Sequence, residues 1–287
     1  MSERPAPSSG ISSRVVTGLV GAAAAIFLIF GLPAHLAFPI WLGAGLWAAV
    51  EFTRIAAHFA PSATLWPLWI FIPITCALGL ASMHGWGGDD GPFPPELSFG
   101  WLVLPGILAV ANGLAGRGES RDAAVGIALV AFAIPYFSAP LLAIYWLQGS
   151  DPWLLFLLLA IVSIGDSAAF FVGRAVGRHR MAPRISPGKT WEGAAGSFVF
   201  AIAVAAGWCW WRLGSVPPSV LLLAAVTSVV AQMGDLAESA FKRGAGVKDS
   251  SHVLPGHGGF YDRLDALLLA APVFALGIAW LGPLPPT

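Results

Sequence analysis

Long apolar runs separated by short polar breaks recur along the chain from Val15 onward. A helix needs about 20 apolar residues to cross a bilayer core about 30 Å thick, and the pattern predicts about nine such helices. Their expected ranges are 15–31, 33–50, 65–83, 97–115, 123–147, 153–176, 193–211, 218–237 and 266–282. Because Pro135 and Pro140 fall within the fifth range, it is either one kinked helix or two short re-entrant ones. The expected fold class is an all-α, polytopic integral membrane protein.

Composition agrees with this fold class. Apolar residues make up 57% of the chain and charged residues 10%, whereas soluble domains carry about 25% charged residues. The formal net charge is zero, so no attraction to nucleic acid is expected and the large partner is the lipid bilayer. Cys76 and Cys209 lie in separate apolar runs without metal-ligand spacing, which is typical of buried packing residues.

The basic residues predict the orientation of the chain, because cytoplasmic segments of membrane proteins are enriched in Lys and Arg. With a cytoplasmic N-terminus, the cytoplasmic segments hold all of the 15 basic residues except Arg212. The C-terminus is then expected on the outside, and the protein in the cell (inner) membrane. The first span is read as a retained helix, because its apolar run is long for a secretory signal.

The chain divides into three expected parts. Residues 1–14 are a disordered cytoplasmic tail, 15–152 hold about five N-terminal spans, and 153–287 form a C-terminal transmembrane region. Cytoplasmic loops at 177–192 and 238–265 belong to this last part. Most of the charged residues of the chain lie in or beside these two loops.

Two windows concentrate the charge, one at 166–192 and the other at 235–265. Both are predicted at the cytoplasmic face, which suggests one site assembled between helices. Asp235 and Asp166 each follow a long uncharged stretch of a span, where a carboxylate must be paired, bind a cation or be protonated. Pairing of Asp166 with Arg174, two turns later, is the alternative without a ligand.

The stretch PGHGGFYDRLD precedes the last span and combines glycines with acids. Asp262 and Asp265 are three residues apart and project from one side of a helix. Gly258 and Gly259 permit positive φ angles and close approach of a ligand to the backbone, although an ordinary interhelical turn has the same composition. For His257, a phosphate contact or a structural donor is favoured over a metal ligand. Acids beside bases at this depth indicate a divalent cation that holds a polyphosphate.

The loop GRHRMAPRISPGKTWEG supplies further basic residues. Its GKT letters do not make a P-loop, because Pro183 stands where that motif requires Gly. The loop is read as a turn that presents Lys189. A plain cytoplasmic loop rich in basic residues would explain the arginines as well, but it would leave Glu192 unexplained.

Residues 239–265 read SAFKRGAGVKDSSHVLPGHGGFYDRLD and resemble the signature of phosphatidate cytidylyltransferases, also called CDP-diacylglycerol synthases, at every fixed position. Members of this family also carry an Asp-Thr dipeptide before a Ser-Pro-Lys-Lys-Thr-Trp-Glu-Gly run. Here the corresponding letters are Asp166-Ser167 and SPGKTWEG, with Gly188 in place of a usual Lys.

The resemblance implies transfer of CMP from CTP to phosphatidic acid, which gives CDP-diacylglycerol and pyrophosphate in phospholipid biosynthesis. It also implies an all-helical homodimer and Mg²⁺ held by Asp235 and Asp262, alone or with a second, monovalent or divalent, cation. The catalytic residues expected on this basis are Asp235, Asp262, Lys242, Arg243, Lys248, Asp249, His257 and Asp265. The substrate-binding residues expected are Asp166, Ser167, Ser186, Lys189, Thr190, Glu192, Glu238, Ser239, Gly258, Gly259 and Arg263.

Two other functions remain open at this point. A CTP-dependent polyprenol or phytol kinase would transfer the γ-phosphate of CTP to a lipid alcohol and release CDP. A transporter for an anionic substrate would place charged residues towards both membrane faces and would often contain an internal repeat. In this sequence the charged windows share one predicted face, and no repeat is evident.

Overall fold

The computed structural model describes residues 11–83, 95–116, 119–251, 253 and 258–282. Its helices are α1 (Ile11–Ile26, continued by a π-helical turn at Phe27–Gly31), α2 (Ala34–Ala56), α3 (Leu68–Met83), α4 (Pro95–Ala115), α5 (Ser120–Ser150), α6 (Pro152–Val176), α7 (Trp191–Leu213), α8 (Pro218–Gly244) and α9 (Tyr261–Leu281). Two short strands, β1 (Arg180–Ala182) and β2 (Ser186–Thr190), form an antiparallel hairpin between α6 and α7.

Six of the described helices, α2 and α5 to α9, are long and apolar enough to cross a bilayer. Shorter apolar helical stretches lie at Gly18–Gly31, Leu68–Met83 and Leu104–Ala115. This is the architecture of an all-α integral membrane protein, as the sequence predicts. The count of nine spans and the orientation of the termini stay predictions.

The helix boundaries resolve one alternative and correct one expectation. The fifth predicted span is a single helix, α5, that contains both Pro135 and Pro140. The loop predicted at 177–192 is instead largely the β-hairpin, and its last two residues begin α7. Helix α1 begins at Ile11, within the predicted tail, and residues 1–10 of that tail lie outside the described residues.

Two apolar clusters hold the helices together. One joins α6, α7, α8 and α9 with the end of α5, and the other joins α2, α3, α5 and α9. Helices α5 and α9 contribute to both clusters, so the N-terminal and C-terminal helices form one packed body. Fully buried members such as Leu158, Phe274 and Phe137 each gain about 1.5–3 kcal/mol from leaving water, an upper estimate where lipid surrounds the protein.

Small residues bring the helices of the site close together. A Cβ atom added to Gly193 would lie 2.6 Å from the carbonyl oxygen of Ala169, so α7 begins in direct contact with α6. A Cβ atom added to Gly234 would lie 2.6 Å from the carbonyl oxygen of Asp265. The backbones of α8 and α9 therefore touch beside two of the predicted site acids. Close approach at small residues is typical of helix packing in membranes.

Candidate active site

A pocket of about 660 Å³ lies where the end of α6, the hairpin, the start of α7 and the end of α8 meet. This volume falls in the range of ligand pockets, about 300–1,000 Å³. Its polar and charged lining comes from both charged windows and consists of Asp166, Arg174, Arg180, Ser186, Lys189, Thr190, Gln232 and Asp235. Phe170, which also lines the pocket, is 59% exposed.

An ion pair joins the two windows directly. The Nζ atom of Lys189, on β2, lies 2.6 Å from Oδ2 of Asp235, on α8. Both side chains are partly exposed to the pocket. Lys189 and Asp235 are 46 positions apart in the sequence and adjacent in the fold, as the clustering of charge predicts.

Three carboxylates converge beside this ion pair. One oxygen each of Asp235, Glu238 and Asp265 lies within 4.8 Å of the others. Asp235 and Glu238 are three residues apart on α8 and so share a face of that helix. Asp265 reaches them from α9, across the contact at Gly234. Only 1% of Glu238 is exposed, so its charge must be balanced by neighbours.

Lys242 supplies part of that balance. Its Nζ atom lies 2.6 Å from Oε1 of Glu238 and 2.6 Å from Oδ1 of Asp262. Asp262 also accepts hydrogen bonds from the backbone N–H of Gly259 (2.8 Å) and of Ser250 (3.1 Å). The two predicted metal ligands are therefore placed differently: Asp235 belongs to the three-acid cluster, whereas Asp262 is bound to Lys242 and to the segment before α9.

The hairpin is held by two residues that were predicted to bind substrate. Thr190 accepts a hydrogen bond from the N–H of Gly193 at 3.1 Å and so caps the N-terminus of α7. Glu192 accepts hydrogen bonds from the N–H of His179 and lies 2.6 Å from its Nδ1 atom. The carboxylate of Glu192 thus closes the base of the hairpin through His179, a residue to which no sequence motif assigned a role.

Of the other predicted residues, Ser167 donates to the carbonyl oxygen of Ser163 in its own helix. Arg243 donates to the carbonyl oxygens of Ile185 and Val247, which ties the end of α8 to the hairpin. Three more are exposed (Lys248, Asp249 and Arg263), Ser239 is half-buried, and His257 lies outside the described residues.

Comparison with known proteins agrees with these motifs. A model of the cytidylyltransferase family matches residues 12–281. The chain belongs to the cytidylyltransferase family. It is 36% identical to the phosphatidate cytidylyltransferase of Brucella suis in an alignment that covers 77% of this chain and 90% of that protein. It is 31% identical to the phosphatidate cytidylyltransferase of Haemophilus influenzae over 92% of this chain and 97% of that one, and 31% identical to that of Bacillus subtilis over 91% and 95%. The family expected from the two motifs is confirmed.

The acids of this cytidylyltransferase suit a hard divalent cation. Carboxylate oxygens are the protein ligands that Mg²⁺ prefers, and three of them converge at Asp235, Glu238 and Asp265. The ammonium of Lys242, placed between Glu238 and Asp262, shows that positive charge is favoured in the gap between these two acids as well. The donor set therefore fits the cation that the family resemblance implies.

The two glycines before α9, Gly258 and Gly259, have different structural roles. Gly258 adopts a φ angle of 76°, in the left-handed region that favours glycine. Gly259 is buried, and its N–H already donates to Asp262. That N–H is therefore used inside the protein, rather than directed at a phosphate as the turn composition suggested.

One acid that contacts the site residues was not predicted from the sequence. Glu51, on α2, is fully buried and accepts hydrogen bonds from Ser250 and Ser251, in the segment that joins α8 to α9, and from Tyr261 at the start of α9. The predicted second span ended at residue 50, which left Glu51 as an ordinary polar residue of a loop. Helix α2 continues to Ala56, and Glu51 is its only acid. A lone acid in a largely apolar helix was the signal that could have identified this residue.

Proposed function

We propose that this chain transfers CMP from CTP to phosphatidic acid and releases pyrophosphate. The observation that carries the proposal is the pocket in which Lys189 of the SPGKTWEG stretch meets Asp235, beside the acids of the GFYDRLD stretch. Membership of the cytidylyltransferase family and the names of the relatives support the same reaction. We further propose the cytoplasmic face of the cell membrane as the position of the site, because CTP is soluble and the basic loops favour that face.

The proposed cation is Mg²⁺. Asp235 is its first ligand, and Glu238 and Asp265 supply carboxylate oxygens beside it, whereas Asp262, the second ligand implied by the family resemblance, lies on the other side of Lys242 from Glu238. When bound, such a cation neutralises phosphate charge and makes the α-phosphorus of CTP more electrophilic. A second cation beside it agrees with a cluster of three acids next to a lysine that already binds two acids, Glu238 and Asp262.

In the proposed reaction, a phosphate oxygen of phosphatidic acid forms a bond to the α-phosphorus of CTP as the bond to the β-phosphate oxygen breaks. The attacking oxygen is already anionic, so little proton removal is needed. Lys189 faces the pocket and offers charge to the phosphates, together with Arg174 and Arg180 on its rim. The chain thus contributes chiefly by positioning the substrates and stabilising charge.

The lipid substrate fits the placement of the pocket. Its lining combines apolar residues, among them the exposed Phe170, with charged groups of both windows. A lipid headgroup can reach these charged groups while its acyl chains stay among apolar surfaces. A homodimer is also proposed, on the resemblance to the family alone.

The proposal is tested by product analysis. Purified protein in detergent is incubated with CTP labelled on the α-phosphate, with Mg²⁺ and phosphatidic acid. We expect labelled CDP-diacylglycerol and unlabelled pyrophosphate. A lipid kinase would instead release labelled CDP and leave the lipid unlabelled, which would overturn the proposal. A Lys189→Met variant serves as the matched control, because it removes a pocket charge while keeping a side chain of similar length.

A further inference from the structure

Glu51 is a charged residue in an apolar helix, and it is completely buried. Its neighbours on α2, Ala48, Ala49 and Phe52, are buried as well. Among the described residues, no ion pair with Lys or Arg involves Glu51. A buried carboxylate without a basic partner is costly unless hydrogen bonds satisfy its oxygens, so its retention needs a reason.

The donors to Glu51 come from the segment between α8 and α9 and from the first residue of α9. Oε1 accepts from the hydroxyl of Ser251 at 2.6 Å, and Oε2 accepts from the hydroxyl of Ser250 at 2.8 Å. Oε2 also accepts from the backbone N–H of Tyr261, the first residue of α9, at 2.8 Å. One side chain therefore fixes the connecting segment at Ser250 and Ser251 and again where α9 begins.

Ser250 connects Glu51 to the site. Its hydroxyl lies 2.8 Å from Oε2 of Glu51 and 3.0 Å from Oδ2 of Asp262, and its backbone N–H also points at Asp262. A hydroxyl has one proton, so Ser250 can donate to only one of the two carboxylates at a time. The contacts then continue from Asp262 through Lys242 to Glu238 of the acid cluster. A change at Glu51 is thus passed to Asp262 through a single hydroxyl.

Gly259 allows this arrangement. A Cβ atom on Gly259 would collide with the hydroxyl oxygen of Ser250 and with the carboxylate of Glu51. The ring of Phe52, next to Glu51, stacks on Phe241 of α8 with 4.7 Å between centroids and meets Tyr261 of α9 edge-on at 6.0 Å. The same turn of α2 therefore docks on both helices that carry the acids, which fixes where Glu51 stands relative to them.

We propose that Glu51 is a positioning residue for nucleotidyl transfer: through Ser250 it sets the orientation of Asp262, and it ties Ser250 and Ser251 of the segment between α8 and α9 to the start of α9. The inference rests on the proposed function. Glu51 does not line the pocket and acts on the reaction through its neighbours, so its removal disturbs turnover and binding of the metal-nucleotide complex without removing a contact to substrate.

The first test compares two serines. Ser250→Ala and Ser251→Ala each remove one hydroxyl from Glu51, but only Ser250 also contacts Asp262. We expect Ser250→Ala to lower kcat about 10-fold or more, the usual range for residues that orient ligands, and Ser251→Ala to lower it less than about threefold. Equal losses in both variants would mean that Glu51 only anchors the segment and would overturn the proposal.

The second test replaces the acid. Glu51→Gln keeps the shape, but only its amide oxygen can accept: in place of Oε2 it can still bond Ser250 and Tyr261, while the NH2 group can no longer accept from Ser251. We expect kcat to fall about 10–100-fold, and the rise in Tm caused by CTP with Mg²⁺ to shrink. A double variant with Ser250→Ala should lose little more than the worse single variant, because the two residues act in one chain of contacts.

Asp122→Asn is the matched control, since Asp122 is also a buried acid that accepts bonds from the N–H and hydroxyl of a loop serine, Ser62. It should lower Tm and leave kcat within about twofold of wild type. Wild-type kcat and an unchanged Tm response in Glu51→Gln would overturn the inference while product formation by the wild type stands. Absence of CDP-diacylglycerol from the wild type would instead overturn the proposed function.

Discussion

Lys242 stands between two acids that have different surroundings. Glu238 is almost completely buried within α8, whereas Asp262 is held by two backbone N–H groups in addition to the lysine. Removal of Asp262 would therefore leave Lys242 with one acid and would free two donors at the start of α9. At the scale of single residues, this makes Asp262 the most informative substitution in the site.

Asp262→Asn is expected to lower turnover about 10–100-fold and to raise the Mg²⁺ concentration needed for half-maximal rate, because it weakens both a predicted ligand and its hydrogen-bonded support. Asp265→Asn should also raise the Mg²⁺ requirement, since Asp265 belongs to the three-acid cluster. Initial rates with labelled CTP in detergent, measured over a Mg²⁺ series, give both quantities. Near wild-type turnover of Asp262→Asn at saturating Mg²⁺ would contradict its role as a metal ligand.

Gly188 offers a substitution that should improve the enzyme. It lines the pocket, a Cβ atom there meets nothing within 4 Å, and its φ angle is not in the left-handed region. Gly188→Lys restores the residue usual in the family and adds positive charge near the proposed phosphates. We expect KM for CTP to fall about threefold, which is typical of the gain in affinity from one partly screened charge contact. Gly188→Ala is the control, and an unchanged or higher KM in the lysine variant alone would contradict the expectation.

At the scale of elements, the β-hairpin organises the first charged window. Register pairs Arg180 with Thr190, so the strand that carries Lys189 ends at the cap of α7. Sequence patterns did not predict it, because the strands are short and contain a proline and a glycine that suggest a turn. The hairpin is stabilised by contacts beyond its own ladder that local sequence patterns do not reveal, among them the hydrogen bond between Glu192 and His179.

Thr190→Val tests the joint between hairpin and helix. Valine keeps the shape and packing of Thr190 but cannot accept the hydrogen bond from Gly193, so the protein should lose about 1 kcal/mol of stability. Thr190→Ser keeps the hydroxyl that accepts this hydrogen bond, so it should lose less stability than Thr190→Val. Thermal unfolding in detergent ranks the three proteins, and a valine variant as stable as wild type would show that the cap contributes nothing.

At the scale of the whole molecule, much of the fold follows from apolar run lengths, while the links between distant elements do not. Each of the nine predicted ranges overlaps a helix. The pairing of Lys189 with Asp235 could be expected from charge clustering, because unpaired charges in a membrane protein must find one another. The contacts of Glu51 could not be expected, since its partners are neutral donors about 200 residues away that no sequence pattern connects to it.

Orientation in the membrane can be tested with two cysteines. The native Cys76 and Cys209 are buried, with 1% and 0% exposure, so background labelling should be low. Arg184→Cys, in the hairpin, should react with a membrane-impermeant maleimide only after cells are opened. Ser215→Cys, in the exposed turn between α7 and α8, should react in intact cells. Labelling in the reverse order would overturn the predicted cytoplasmic site.

Lys189 and Asp235 neutralise each other across the pocket at 2.6 Å. A triphosphate that engaged Lys189 alone would leave Asp235 without its counter-ion, and a cation that engaged Asp235 alone would strand the lysine. Arrival of both together replaces one ion pair by two. We therefore expect the pocket to bind nucleotide together with its cation more tightly than either one alone.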